Sequence, residues 1–312
     1  MGKLKVFEMF AGYGGASFAL KKANINHEIV GFSEINKHSI KCYEQNHTNI
    51  KNYGDISNIN IDELPDFDLL TGGFPCQDVS VAGNRDLSKG RTLLINYVFK
   101  ILKKKTPKYV LLENVKGLLS TEPLWTNIKW TLNKLGYDIR YKVLNSKEHG
   151  IPQSRERIWI LCSKKNFEPF KQLFPEKVKL TIELKDLLEL NVDEKYYLTD
   201  EQINTIKNRN RFGDQLLQGH EKWSPCLLAI GQCDVGIINE PKFLLNNYKD
   251  KWRRLTPTEC FRLMGFLDDE INIENISNSQ LYRLAGNGWE INVVSKIFKL
   301  WFLNTKYVEN IK

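Results

Sequence analysis

Six short apolar runs recur through the first half of the chain: "KVFEMF", "EIVGFS", "DFDLLTGGF", "YVLLENV", "IRYKVLN" and "RIWILCS". Each has the length of a strand. Several are apolar at consecutive rather than alternate positions, as strands buried on both faces are. Between them the apolar spacing lengthens to that of a helix. Over 92–105, Leu94, Tyr97, Val98, Ile101 and Leu102 fall on one stripe. Strands alternating with helices predict an α/β fold with a mostly parallel sheet covered on both faces.

The rhythm changes after about residue 165. "VDEKYYLTDEQINTIKNRNRFGDQLLQGHEKWSP" is polar and interrupted by Gly and Pro, and reads as a second, smaller domain or a long insertion. Regular spacing returns at "TPTECFRLMGF", where Thr256 can cap a helix and Pro257 start it. It returns again at 290–302, where Ile291, Val294, Ile297, Phe298 and Trp301 form a stripe. A final helix after an irregular region is expected to pack back on the first domain.

Composition narrows the class. Hydrophobic residues make up 42% of the 312 positions, enough for one large core or two modest ones. No apolar run approaches the roughly 18 residues of a membrane span, and the start lacks the apolar stretch of a signal peptide, so a cytoplasmic protein is expected. The six cysteines form no Cys-x-x-Cys pair, which argues against zinc, and several sit in apolar contexts that suit a reducing compartment. The formal net charge of +8 favours an anionic partner, nucleic acid first. A Lys-, Asn- and Ile-rich chain from an AT-rich genome would carry such a charge without that meaning.

Chemistry gathers at the ends of the apolar runs. In "FEMFAGYGGASFAL" a strand runs into Gly12, Gly14 and Gly15 before a helix. That is either a tight turn or a place where backbone approaches a nucleotide-like ligand. Glu34 ends the second run and Asp55 lies in "YGDIS". Acids at such positions bind ribose hydroxyls or simply face solvent. The glycine spacing is not Gly-x-Gly-x-x-Gly, so NAD is not favoured. In "TGGFPCQDVS", Pro75 stiffens the turn that leads into Cys76, a setting that suits a nucleophile better than a core thiol. Glu113 and Asn114 end the next run, where a carboxyl group is placed to act as an acid. In "QSRERIWIL", alternation puts Arg155 and Arg157 on one side, aimed at one anion or base edge or engaged in surface ion pairs.

With these pieces in order, the chain resembles the C5-cytosine DNA methyltransferases of compact bacterial or phage type. The segments that carry the resemblance are "FEMFAGYGG", "EIN", "GDIS", "GGFPCQDVS", "ENVKG", "QSRERIWI", "RRLTPTECFRLMGF" and "LAGNGWEINVVSKI". They cover about 1–165 and 253–300. The resemblance implies a Rossmann-like, S-adenosylmethionine-dependent catalytic domain over 1–184, completed by 286–312. It also implies a smaller, irregular target-recognition domain and hinge over 185–285. The cofactor would lie against Phe10, Ala11, Gly12, Gly14, Gly15, Glu34, Ile35, Asp55, Ile56, Pro75, Asn287, Gly288 and Trp289. Cys76 would attack C6 of a cytosine flipped out of duplex DNA, because the reacting edge is inaccessible within the stack. Glu113 would hold and protonate N3, Arg157 would orient the ring near O2, and Arg155 would support the site. No metal is implied.

By the same resemblance, residues 77–94 form a mobile loop over the DNA. Gln77, Ser80, Arg85, Lys89 and Arg91 would contact the duplex there. The protein would act as a monomer, with any cognate restriction endonuclease acting separately. A tRNA methyltransferase of the same fold and an inactive DNA-binding paralogue are the alternatives. Three departures stand out. "NGWE" puts Trp289 where the family has a small apolar residue, and "SKGRTLL" differs from the usual run. "SPCLLA" aligns Cys226-Leu227 with the family's Thr-Leu pair.

Overall fold

The computed structural model of the chain describes residues 2–75, 94–165, 173–208, 216–217, 222–229, 236–238, 252–302, 305 and 307. All six apolar runs are strands: β1 (Leu4–Met9), β2 (His27–Ser33), β3 (Leu69–Gly73), β4 (Tyr109–Val115), β5 (Tyr137–Asn145) and β6 (Glu156–Lys164). They form one sheet in the order β2-β1-β3-β4-β6-β5. β1 pairs in parallel with β2 and with β3, and β3 with β4, while β6 runs antiparallel to β4. The fold is therefore α/β with a mostly parallel sheet. From β1 the chain goes first to β2 on one side, then crosses to β3 on the other. That reversal opens a crevice at the carboxyl ends of the strands, where α/β sheets bind ligands.

Helices α1 (Gly15–Lys22), α2 (Lys37–Asn46), α3 (Leu94–Lys105) and α4 (Leu124–Lys134) connect the strands. α3 buries Ile95, Val98, Ile101 and Leu102, and Leu94 and Tyr97 lie at the margin of the stripe. Its last turn carries Lys103, Lys104 and Lys105, which complement the negative end of the helix dipole. Ile95, Val98, Ile101 and Leu102 meet Leu70, Val110, Leu112, Ile158 and Ile160 of the sheet in one apolar cluster. Each buried aliphatic side chain contributes about 1.5–3 kcal/mol. Gly72 belongs there for space: a Cβ would meet the backbone oxygen of Met9 at 3.1 Å, so glycine lets β3 lie close to β1.

The chain divides into two compact units. The first comprises Met1–Leu144, Glu156–Pro175 and Val293–Lys312. Helix α8 (Ile291–Phe302) contributes most of its length to that unit, and the rings of Trp301 and Phe302 meet Tyr109 of β4 edge-on, at 5.6 and 5.2 Å. Residues 293–312 thus return to the first unit, whereas 286–292, expected to go with them, belong to the second.

The second unit comprises Asn145–Arg155 and Glu176–Asn292. Within it lie α5 (Asp200–Asn208), a small sheet of β7 (Leu216–Leu217), β8 (Gly236–Ile238) and β9 (Trp252–Arg254), then α6 (Pro257–Arg262) and α7 (Asn278–Asn287). α6 starts as its sequence predicts. Thr256 accepts the Glu259 N–H, Glu259 accepts the Thr256 N–H, and Pro257 opens the helix. Glu259 also takes both terminal nitrogens of Arg253 at 2.8 and 2.7 Å, with the two side chains 1% and 0% exposed. A buried charge pair is tolerated only when its other hydrogen-bonding capacity is met. Here the N–H groups of Thr256 and Glu189 complete the carboxylate.

Candidate active site

The first arm of the site is the turn after β1. Phe10, Gly12 and Gly14 all adopt positive φ, at 51°, 58° and 87°. Gly14 N–H donates to Ala11 O at 2.8 Å and closes the turn, and Ala11 N–H donates to Ser33 O of β2. Gly12 faces open space on the side where a Cβ would stand. Gly14 faces the opposite constraint, because a Cβ there would lie 2.3 Å from His47 Nε2. One glycine leaves room for a ligand and the other accommodates a ring beneath it.

Glu34, just past β2, ties the second arm to the first. Its Oε2 accepts Gly12 N–H, and its Oε1 accepts the N–H groups of Ile35 and Asn36, all at 2.9 Å. Asn52 joins the third arm. Its Oδ1 accepts Glu34 N–H and Gly54 N–H, and its Nδ2 donates to Glu34 O. Ser33 Oγ donates to Gly54 O. Asp55 spends one oxygen, Oδ1, on Ser57 N–H and Oγ–H, so its Oδ2 stays available to a ligand. Ile56 is buried, whereas Ile35 stands 70% exposed at the rim. Gly54, like Gly12, has positive φ and nothing within 4 Å of a Cβ position. The three turns thus outline an open cradle with backbone walls, two carboxylates and one exposed aliphatic side chain.

The chemistry end lies along β3 and β4. Their register sets Gly73 opposite Glu113. The buried amide of Asn114 donates from Nδ2 to Phe74 O at 3.0 Å, and its Oδ1 accepts Val115 N–H. This pins the chain leaving β3 to the end of β4. Arg157 on β6 reaches Glu113 with Nε–Oε1 at 3.1 Å, their side chains 17% and 12% exposed. Pro75 is half-buried at the end of this strap. Cys76, Gln77, Ser80, Arg85, Lys89 and Arg91 lie outside the described residues.

Arg155 and Arg157 do not share a target. Arg155, 2% exposed, belongs to the second unit. Its Nη2 donates to Gly286 O and Gly288 O at 3.0 and 2.7 Å, and its Nη1 lies 3.5 Å from Cys226 Sγ. Gln153 beside it donates to Leu263 O and accepts Leu227 N–H. Gly286 abuts Leu228 and Ala229 so closely that a Cβ would come within 2.6 Å of their backbone. The second unit also holds Asn287, exposed at the end of α7, with Gly288 half-buried and Trp289 buried. Strand alternation does not relate the two arginines, because Arg155 precedes β6 and turns its guanidinium onto backbone carbonyls.

Residue patterns alone passed over Glu8, Ser17, His47 and Asn52. Glu8 is 2% exposed, and its Oε1 accepts Ser17 N–H at 2.7 Å. Burial pushes its pKa up to about 7, against the lowering effects of Tyr43 and the Ser17 N–H. An acid inside an apolar strand run was the signal available. Two other thiols are held protonated: burial pushes Cys42 up to about 12 and raises Cys162 as well. Among the described residues no group of three or more His, Cys, Asp or Glu side chains could hold a metal ion. None of the described helices is long and apolar enough to cross a membrane.

Comparison with known proteins matches this arrangement to one family. Residues 4–302 fit the family described as C-5 cytosine-specific DNA methylase. The chain is 32% identical to the type II methyltransferase M2.ScrFI of Lactococcus lactis subsp. cremoris, over 96% of this chain and 99% of the relative. It is 34% identical to the type II methyltransferase M.DsaV of Dactylococcopsis salina, over 95% and 85%. It is 30% identical to the orphan methyltransferase M.SPBetaI of Bacillus phage SPbeta, over 96% and 97%. Among solved structures, the S. pombe Dnmt2 methyltransferase shares the fold with a TM-score of 0.80 at 23% identity, covering 97% of this chain and all of the other.

Proposed function

This chain belongs to the C-5 cytosine-specific DNA methylases and is a DNA (cytosine-5)-methyltransferase; from that premise we propose which of its residues do the work. The cradle of Gly12, Glu34, Gly54 and Asp55 fits S-adenosylmethionine. Glycines without Cβ neighbours admit the ligand, Glu34 and Asp55 offer acceptors to ribose hydroxyls and the adenine amine, and Ile35 offers an apolar face. Phe10, Ala11, Gly14, Gly15, Ile56, Pro75, Asn287, Gly288 and Trp289 complete the assignment. When bound, this cofactor supplies an electrophilic methyl group.

Cys76, as thiolate, adds to C6 of the flipped cytosine. Glu113 donates a proton to N3, so the ring gains electron density at C5 without a full negative charge. After C5 has been methylated, its proton passes to water, the C5–C6 double bond re-forms as the thiolate leaves, and N3 returns its proton to Glu113. Arg157 orients both Glu113 and the pyrimidine. Arg155 acts through the backbone it holds. The observation that carries this reading is the register of β3 with β4: Gly73 faces Glu113, and Asn114 holds Phe74 O two residues before Cys76.

The likeness to the family supports the remaining proposals. Double-stranded DNA is the substrate. Gln77, Ser80, Arg85, Lys89 and Arg91 contact it, residues 185–285 read the sequence, and the enzyme works as a cytoplasmic monomer. Type II and orphan phage relatives support a role in restriction-modification or phage protection, with any endonuclease a separate protein.

Expression in an unmethylated host, followed by sequencing for 5-methylcytosine, identifies the target site. A duplex with 5-fluorocytosine at that site should then trap a covalent adduct with the wild type and none with Cys76→Ala. Cys76→Ala should still bind S-adenosylhomocysteine. A wild type that methylates the site but forms no adduct would sink the assignment of Cys76.

A further inference from the structure

α2 spans the two arms of the cradle. Its N-cap, Asn36, stands two residues beyond Glu34, and its Oδ1 accepts the N–H groups of His38 and Ser39 at 2.9 and 3.2 Å. Its C-cap is His47, whose N–H donates to Tyr43 O. A ten-residue helix is a rod of about 15 Å. One end is fixed to the acid that accepts Gly12 N–H; the other carries the ring that lies under Gly14.

The His47 ring is held on several sides. Phe18 meets it edge-on at 4.6 Å and Tyr43 at 4.7 Å. Nδ1 lies 3.3 Å from Ser17 Oγ. Ser17 is in the first turn of α1, and its N–H is taken by the buried carboxyl group of Glu8. Nε2 is buried. Burial pushes the pKa down to about 4, so the ring is neutral at physiological pH. Nε2 and Cδ2 occupy the space that a Cβ on Gly14 would need, at 2.3 and 2.5 Å. The glycine is therefore matched to the imidazole and not only to a turn.

We propose that His47 is a positioning residue for the cofactor, a strut that α2 holds under the glycine turn so that the turn and the Glu34 acid keep one fixed separation. The proposal rests on the assignment of the cradle to S-adenosylmethionine. It makes no use of a charge on His47. What matters is the volume of the ring under Gly14.

Calorimetric titration with S-adenosylhomocysteine tests the strut on full-length protein. His47→Ala and His47→Asn both vacate the space under Gly14, and Asn alone can keep the Ser17 bond. Each should raise the dissociation constant about tenfold. His47→Gln, which reaches as far as Nε2, should stay within about threefold of wild type. Affinities within twofold of wild type for Ala and Asn would overturn the proposal, as would a Gln variant no better than Ala.

A melting-temperature cycle probes the contact without any cofactor. Gly14→Ala should lower Tm less in a His47→Ala background than in wild type. The strain of a positive φ is common to both backgrounds and cancels in the cycle. Equal losses would overturn the contact itself. A normal cycle in a wild type that binds no S-adenosylhomocysteine would instead remove the cofactor assignment and leave the packing intact.

Discussion

The two working edges of the first unit are built from different materials. At the β1–β2 edge the main chain does the holding. Glu34 accepts three backbone N–H groups, and Asn52 bonds backbone on both sides. At the β4–β6 edge two side chains, Glu113 and Arg157, meet each other at 3.1 Å. A cradle with backbone walls fixes shape and depends on the few side chains that hold that backbone. A side-chain pair fixes charge, and every atom of it is exposed to mutation. Shape suits a cofactor that is bound the same way each turnover; charge suits a ring whose protonation changes during the reaction.

The comparison predicts separable defects. The largest is at the charged edge. Glu113→Gln keeps the shape but removes the proposed acid, and turnover should fall by a factor on the order of 100 or more, the usual scale for general acid assistance. Affinity for S-adenosylhomocysteine should change less than about threefold. A parallel loss of affinity would show that the two edges are one system, and turnover within threefold would make Glu113 structural.

A smaller effect is expected at the cradle. Glu34→Ala removes charge-assisted acceptors that contribute about 1.5–3 kcal/mol. The dissociation constant for S-adenosylhomocysteine should rise about 10- to 100-fold. Methyl transfer in a single turnover at saturating cofactor should recover to within about threefold of wild type. A rate that saturating cofactor cannot restore would break the division of labour.

The smallest expected effect on catalysis is at Glu8, beneath the glycine turn. Its folded pKa of about 7 lies above the ordinary 4.5, so the folded state holds this proton more tightly than the unfolded state. Its contribution to stability is therefore fully present below about pH 4.5 and is lost as pH rises through about 7. The loss is on the order of 1–3 kcal/mol. Urea unfolding at pH 5 and pH 8 should show that Glu8→Gln loses less stability between the two than wild type does. Identical losses would assign the pH dependence elsewhere.

Much of this was legible in the chain because strand-length apolar runs and the residues at their ends are local features. β1 to β6, the Thr256–Pro257 helix start and the return of the last helix all follow from spacing, capping and burial of apolar stripes. Arg155 shows where local reading stops. Its neighbour-but-one Arg157 pairs with a carboxylate, while Arg155 clamps carbonyls more than 130 positions away.

What the sequence by itself determined is the order of turns and the residue types at the sheet's carboxyl edge. Backbone freedom at Gly12 and Gly14, apolar periodicity and the Pro-Cys-Gln, Glu-Asn-Val and Gln-x-Arg-x-Arg segments are carried within a few residues of one another. Only the tertiary structure decided that His47 fills the space under Gly14, that Asn52 joins Glu34 to Gly54, and that Asn114 holds Phe74 O. These contacts link elements through crossovers whose lengths carry no record of which atoms will meet. The meeting is set by strand register and by helix packing on the sheet, and both are properties of the whole core.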